Sequence, residues 1–231
     1  MTVDAHPWIL VTGNGGFGET AHRTDLTYID NPTSAIALDL DGEVIAGVHI
    51  RGVSLDWDEH PVEALDALIS AEHPPIAVVS LGVFSGRSTV TVERIGVNVQ
   101  DFQFAESNGR RPAGEPVFAD GPAAYFATLP IKAVTHAVRA AGIPALVSNT
   151  ASTHGCNSVM YTALHLIAQR RLPSLAGFIH LPDPPAHVAA LASNGPSMSV
   201  ELQTQAIRVA LEAIVQHRDQ DISVPVGEWE W

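Results

Sequence analysis

Cys156 is the only cysteine in this 231-residue chain, which excludes an internal disulfide and leaves core packing to hold the fold. Positive charge is also scarce. Twelve basic residues, Lys132 the one lysine among them, stand against 25 acidic residues and give a formal net charge of −13. Such a surface repels phosphate backbones and anionic headgroups, so nucleic acid and membrane surfaces are not expected partners. No apolar run reaches the roughly 20 residues that cross a bilayer. The opening residues MTVDAHP have neither the basic stretch nor the apolar run of a signal peptide. These absences predict a soluble, cytoplasmic protein. The 11 histidines are scattered without a ligand spacing on any predicted helix, so neither a metal nor another cofactor is expected.

What the chain does have is apolar residue: 46% of it is hydrophobic and only 16% charged, enough for one compact core. The predicted organisation is a single α/β domain over 1–218 with a C-terminal extension, 219–231. That extension, DQDISVPVGEWEW, is acidic and carries Pro225, Gly227 and two tryptophans, so it reads as neither a helix nor an ordinary disordered tail.

Apolar runs of strand length alternate with amphipathic segments, the pattern of helices layered on a largely parallel sheet. Strands are predicted at 8–12, 43–50, 76–83, 88–97, 143–148 and 176–181. Helices are predicted at 61–71, 130–141, from Cys156 to about Arg170, and 199–217 behind a Ser cap, with a further start near Pro32. The Gly-, Pro- and charge-rich stretch 101–122 reads as a surface loop.

Gly13, Gly15 and Gly18 match the G-x-G-x-x-G pattern after a strand. A dinucleotide site also needs a helix opening inside that turn to meet the pyrophosphate. Residues 19–31 show no apolar helical stripe, strand 43–50 is followed by Arg51 where an acidic residue would bind a ribose, and a Tyr-x-x-x-Lys pair is missing. The glycines read instead as a place where the backbone comes close to something else.

Cys156 lies in STHGCNSVMYTAL, after a strand and at the start of an amphipathic helix. The partial positive charge and free N–H groups there favour thiolate over thiol and can hold a developing oxyanion. Alone, Cys156 is equally a small buried apolar residue. His180 ends the strand in GFIHLP, and Glu93 lies in the alternating strand TVERIGVN. Singly, one reads as a structural histidine and the other as a solvated carboxylate. Together they gain force, because residues at the ends of parallel strands converge on one crevice.

The residues that surround them resemble the pyroglutamyl peptidase I family, cysteine peptidases that remove an N-terminal 5-oxoproline. The resemblance runs from about 8 to 215 and is carried by VTG…FG (11–18), NPT (31–33), SGRSTVTVERIGVN (85–98), GPAAYFATLPIK (121–132), GIPALVSNTAS (142–152), CNSVMY (156–161), GFIHLP (177–182) and PSMS (196–199). It implies a three-layer α/β/α open sandwich with a mainly parallel twisted sheet and a catalytic triad of Cys156, His180 and Glu93. It also implies a peptide or small amide substrate and a homo-oligomer, dimer or tetramer. The implied acyl pocket involves Asn14, Phe17, Val83, His154 and Gln103. Phe17 keeps the family pattern. Asn14 replaces a pocket phenylalanine, His154 stands where the family often has an aromatic, and Gln103 replaces an arginine thought to act near the reacting carbonyl. Exchanging two aromatic faces for polar groups removes about 1–3 kcal/mol of stacking and burial for an apolar ring. An amidase or lactam hydrolase for a more polar acyl group, and a binding homologue without turnover, therefore stay open beside the peptidase.

Overall fold

The computed structural model of the chain describes residues 6–15, 31–55, 61–69, 73–103, 105 and 109–226. In chain order the elements are β1 (Trp8–Asn14), α1 (Pro32–Asp39), β2 (Val44–Ile45), β3 (Val48–Leu55), α2 (Pro61–Ile69), β4 (Ala77–Val83), β5 (Val90–Glu93), β6 (Ile95–Val97), β7 (Gln100–Asp101) and β8 (Ala113–Glu115). There follow β9 (Ala124–Phe126), α3 (Ile131–Ala140), β10 (Ala145–Ser148), α4 (Gly155–Arg170), β11 (Leu175–Leu181), α5 (Pro185–Ala190) and α6 (Val200–Gln216). Seven strands form the central sheet in the order β10-β5-β11-β4-β1-β3-β2.

The sheet is mainly parallel but mixed. β11, β4, β1 and β3 run together, whereas β5 and β10 run together in the opposite sense, and β2 folds back antiparallel on β3. Continuous apolar strands such as β1 and β4 are buried because helices cover both faces. One face packs Ile9, Val11, Val79 and Ile179 against α1, α3 and α6; the other packs Leu10, Val78, Ala176 and Phe178 against α2 and α4. Each fully buried Leu, Ile or Phe contributes about 1.5–3 kcal/mol. The result is the expected three-layer α/β/α sandwich. Among the described residues, no helix is long and apolar enough to cross a membrane.

Several local expectations need correction. The strand predicted at 43–50 is a hairpin: Ala46 (φ 48°) and Gly47 (φ 80°) turn the chain between β2 and β3, because two consecutive left-handed residues form a tight turn that β-propensity alone does not reveal. The strand predicted at 88–97 breaks at Arg94; β5 enters the central sheet while β6 pairs with β9. The stretch 101–122 is not wholly loop, since Ala113–Glu115 pairs with Gln100–Asp101 in a small ribbon. Gly13 belongs to β1, and a Cβ there would stand 2.1 Å from the Thr33 carbonyl oxygen. Its bare backbone lets the first turn of α1 rest on the strand. That turn is capped by Asn31, whose Oδ1 accepts from the Thr33 N–H at 3.0 Å.

Beyond α6 the chain returns to α3. The N-cap of α3 is Pro130, which has no side chain to donate or accept. Asp221 supplies the acceptor: its carboxylate takes the backbone N–H groups of Lys132 at 3.0 Å and Ala133 at 2.8 Å. Val226 is buried, and its carbonyl accepts from Arg139. Trp229 and Trp231 lie outside the described residues.

Candidate active site

Four neighbouring strands, β5, β11, β4 and β1, and one helix N-terminus build the site on the face covered by α4. His180, the penultimate residue of β11, sits opposite Gly82 of β4 on one side and Thr91 of β5 on the other. Side chains two apart on a strand share a face, so Glu93 projects beside His180 as its diagonal neighbour. A glutamate is long enough to span that diagonal. The parallel-strand convergence expected from sequence is therefore wrong for Glu93. β5 runs against β11, so the carboxyl ends of these two strands point to opposite edges, and Glu93 reaches the imidazole sideways across the sheet.

The contacts form a string. His180 Nδ1 donates to Glu93 Oε1 at 2.8 Å, and the imidazole hydrogen-bonds Cys156 on its other side. With Nδ1 held by the carboxylate, Nε2 is the nitrogen left for the sulfur. Phe84 meets the ring edge-on at 5.2 Å and Phe178 lies 4.7 Å away between centroids. His180 is 1% exposed and Glu93 0%. Burial opposes charge on His180, but the charge of Cys156, its hydrogen bond and Glu93 outweigh burial and raise the imidazole to about 9. Burial likewise pushes Glu93 up, yet its hydrogen bond to His180 and the charges of His180 and Arg87 leave it below the ordinary carboxylate value.

Arg87 joins this string from outside the three residues that the sequence pattern brings together. From the β4–β5 loop its Nη1 donates to Glu93 Oε1 at 2.6 Å and Thr91 Oγ1 at 2.5 Å, and its Nη2 donates to the Thr150 carbonyl at 3.1 Å. Its guanidinium lies 3.8 Å over the Phe84 ring. The available signal was a cation six residues before a strand-borne glutamate in a chain poor in cations.

The helix that presents the sulfur is held at its start. His154 is the N-cap of α4 and makes no side-chain cap, so the first-turn N–H groups are not closed off by it. Inside the first turn, Asn157 clamps the adjacent strand: Oδ1 accepts from the Val97 N–H at 2.9 Å, and Nδ2 donates to the carbonyls of Val97 at 2.9 Å and Val99 at 3.0 Å. An asparagine inside an amphipathic helix pattern gives no hint of that role.

The pocket residues divide. Asn14 ends β1 and donates from Nδ2 to Cys156 Sγ at 3.6 Å. His154 stacks on Phe102 with ring centroids 4.2 Å apart, so the aromatic surface there comes from Phe102. Val83 follows Gly82 and, by strand alternation, turns to the face opposite the sulfur. Gln103 is exposed. Phe17 lies outside the described residues. Among the described residues, no group of three or more His, Cys, Asp or Glu is arranged to hold a metal ion.

A buried imidazole held by a carboxylate on one nitrogen and facing a sulfur with the other can deprotonate that sulfur and later return the proton to a leaving group. Comparison with known proteins agrees with this chemistry. The family model for pyroglutamyl peptidase matches residues 8–217. Pyrrolidone-carboxylate peptidase 1 of Ralstonia nicotianae is 38% identical over 224 residues, covering 96% of this chain and 99% of the relative. The pyrrolidone-carboxylate peptidase of Mycobacterium tuberculosis is 41% identical over 225 residues, covering 94% and 96%. The solved pyrrolidone carboxyl peptidase from Thermococcus litoralis matches with a TM-score of 0.85 at 34% identity, over 95% of this chain and 99% of that one. The chain belongs to the pyroglutamyl peptidase family of cysteine peptidases.

Proposed function

We propose that this chain cleaves the amide bond after an N-terminal 5-oxoproline residue of a peptide, with Cys156 as nucleophile, His180 as proton carrier and Glu93 as the group that fixes the imidazole. The observation that carries this reading is the placement of His180 between Cys156 and the buried Glu93 carboxylate. Family membership supplies the substrate class.

With the Cys156 proton already carried on His180 Nε2, the first step is formation of a bond from the sulfur to the scissile carbonyl carbon. The carbonyl π pair moves onto oxygen. As it returns, the C–N bond breaks and the imidazolium proton goes to the leaving amine, giving a thioester and a shortened peptide. Water then gives a proton to His180 and attacks the thioester; collapse releases 5-oxoproline and restores the cysteine. Glu93 keeps Nδ1 protonated throughout, so Nε2 is the nitrogen that exchanges protons with sulfur, amine and water.

The single unpaired thiol supports residence in a reducing compartment such as the cytoplasm, and the family resemblance supports a homodimer or tetramer, which sedimentation of the purified chain reads directly. The test of the activity is release of aminomethylcoumarin from its pyroglutamyl amide by the native chain and by Cys156→Ala. Release by the native chain alone supports the reading; equal release by both variants, or release by neither, overturns it.

A further inference from the structure

One row of positions crosses the sheet at the level of the sulfur. Gly13 pairs with Leu81, and His180 pairs with Gly82, so Asn14, Gly82 and His180 stand side by side on β1, β4 and β11. The middle position has no side chain. A Cβ on Gly82 would stand 2.9 Å from Cys156 Sγ, which means that the sulfur occupies the gap, with an imidazole on one flank and the Asn14 carboxamide on the other. Among the described residues, His180 and Asn14 are the side chains hydrogen-bonded to that sulfur.

We propose that Asn14 is a catalytic residue, the side-chain donor that stabilises the oxyanion formed when Cys156 attacks; this rests on the hydrolytic reading above. The Nδ2–H lies 3.6 Å from Sγ in the resting site. The new oxygen develops on the carbon that the sulfur attacks, one bond further on, within reach of the same N–H. As the S–C bond forms and the π pair moves to oxygen, the hydrogen bond passes from sulfur to oxygen without proton transfer. When the pair returns and the C–N bond breaks, the N–H is released.

A donor of this kind is effective when it is fixed before the charge appears, because it then needs no reorganisation. Asn14 meets that condition. It is 4% exposed, its backbone N–H donates to Thr33 Oγ1 at 3.1 Å, and Thr33 Oγ1 in turn donates to Asn31 Oδ1 at 2.7 Å. Of the other described pocket positions, Gln103 is exposed, Val83 has no polar side-chain atom, and the His154 ring is stacked on Phe102. The substitution that removes a pocket ring from this chain thus puts an N–H beside the reacting atoms.

The experiment compares the native chain with Asn14→Ala and Asn14→Leu, the second keeping shape without a donor, after thermal unfolding has shown that both are folded. On pyroglutamyl aminomethylcoumarin, kcat is expected to fall about 10²–10³-fold while KM moves less than threefold. A second readout needs no substrate. Iodoacetamide alkylation of Cys156 forms no oxyanion and should change less than threefold, whereas the propanal concentration that half-protects Cys156 through a hemithioacetal should rise at least tenfold. Wild-type kcat in both variants overturns the proposal, and so does a loss of kcat matched by an equal loss of alkylation rate, which is the signature of a group that only supports the thiolate. If the native chain releases no coumarin, the hydrolytic reading fails separately, and the propanal comparison still decides the role of Asn14: unchanged half-protection refutes it.

Discussion

Gly82 and Cys156 share one small volume. A methyl group on Gly82 would stand 2.9 Å from Sγ and 2.8 Å from Cζ of the fully buried Phe178 ring, so the absence of a side chain on β4 is what lets the sulfur sit beside His180. Gly82→Ala is expected to displace the sulfur or the ring, with an overpacking cost of about 1–3 kcal/mol. It should lower kcat/KM at least tenfold and slow iodoacetamide alkylation of Cys156. Coumarin release within twofold of native would show that the space is not needed.

Arg87 and Glu93 give a second prediction. The glutamate is completely buried and Arg87 is 19% exposed at the other end of a 2.6 Å contact. Removing the cation leaves the buried carboxylate with His180 alone to offset its charge, at a cost of up to about 3 kcal/mol. For Arg87→Met we expect a lower unfolding temperature and an acid limb of the activity profile displaced to higher pH, since Glu93 loses one of the charges that hold it ionised. A profile that keeps its native acid limb would limit Arg87 to a packing role.

Stability should depend on pH through the same string of residues. His180 is raised from 6.5 to about 9 in the folded chain, so its stabilisation is complete below 6.5 and is lost as pH rises through about 9. Glu93 is lowered from 4.5, so its stabilisation is complete above 4.5 and is lost as pH falls through its folded value. Both contributions are therefore whole between 4.5 and 6.5. Urea unfolding should give a lower midpoint at pH 9.5 than at pH 6, and His180→Gln should shrink that difference. The control is needed because the net charge of −13 produces self-repulsion of its own; an equal drop in the variant would assign the whole effect to it.

Asp221→Ala tests the far side of the molecule. It removes the acceptor that closes the first turn of α3, for which an N-cap loss of about 1–2 kcal/mol is expected. α3 covers the sheet face opposite α4, so kcat/KM should stay within twofold. Thermal unfolding and coumarin release check the two halves separately. A large loss of activity with unchanged stability would contradict this assignment.

Helix α4 was readable from sequence because its apolar positions recur at helical spacing and its start follows a small-residue turn. Ser199 likewise marked the start of α6, and its hydroxyl accepts from the Leu202 N–H at 3.3 Å. These are local signals, complete within one or two turns. The direction of β5 was not readable, since four alternating residues carry no information about which neighbour they meet or which way it runs. Arg87 escaped notice for a related reason. Loop conformation decides where a long side chain goes, and nothing in the spacing of Arg87 from Glu93 specifies a loop that folds back on its own strand.

The sequence by itself determined the layered α/β class, the helix that begins at Cys156 and the residue types able to carry thiol chemistry, because burial patterns and caps are short-range and repeat along the chain. Tertiary structure alone decided that Asn14, Gly82 and His180 share one row, that Glu93 enters from an antiparallel strand, and that Arg87 meets it there. Those relations depend on register and pairing between segments as far apart as residues 14 and 180. Pairing over such distances is selected by the packing of the whole core rather than by any local run of residues.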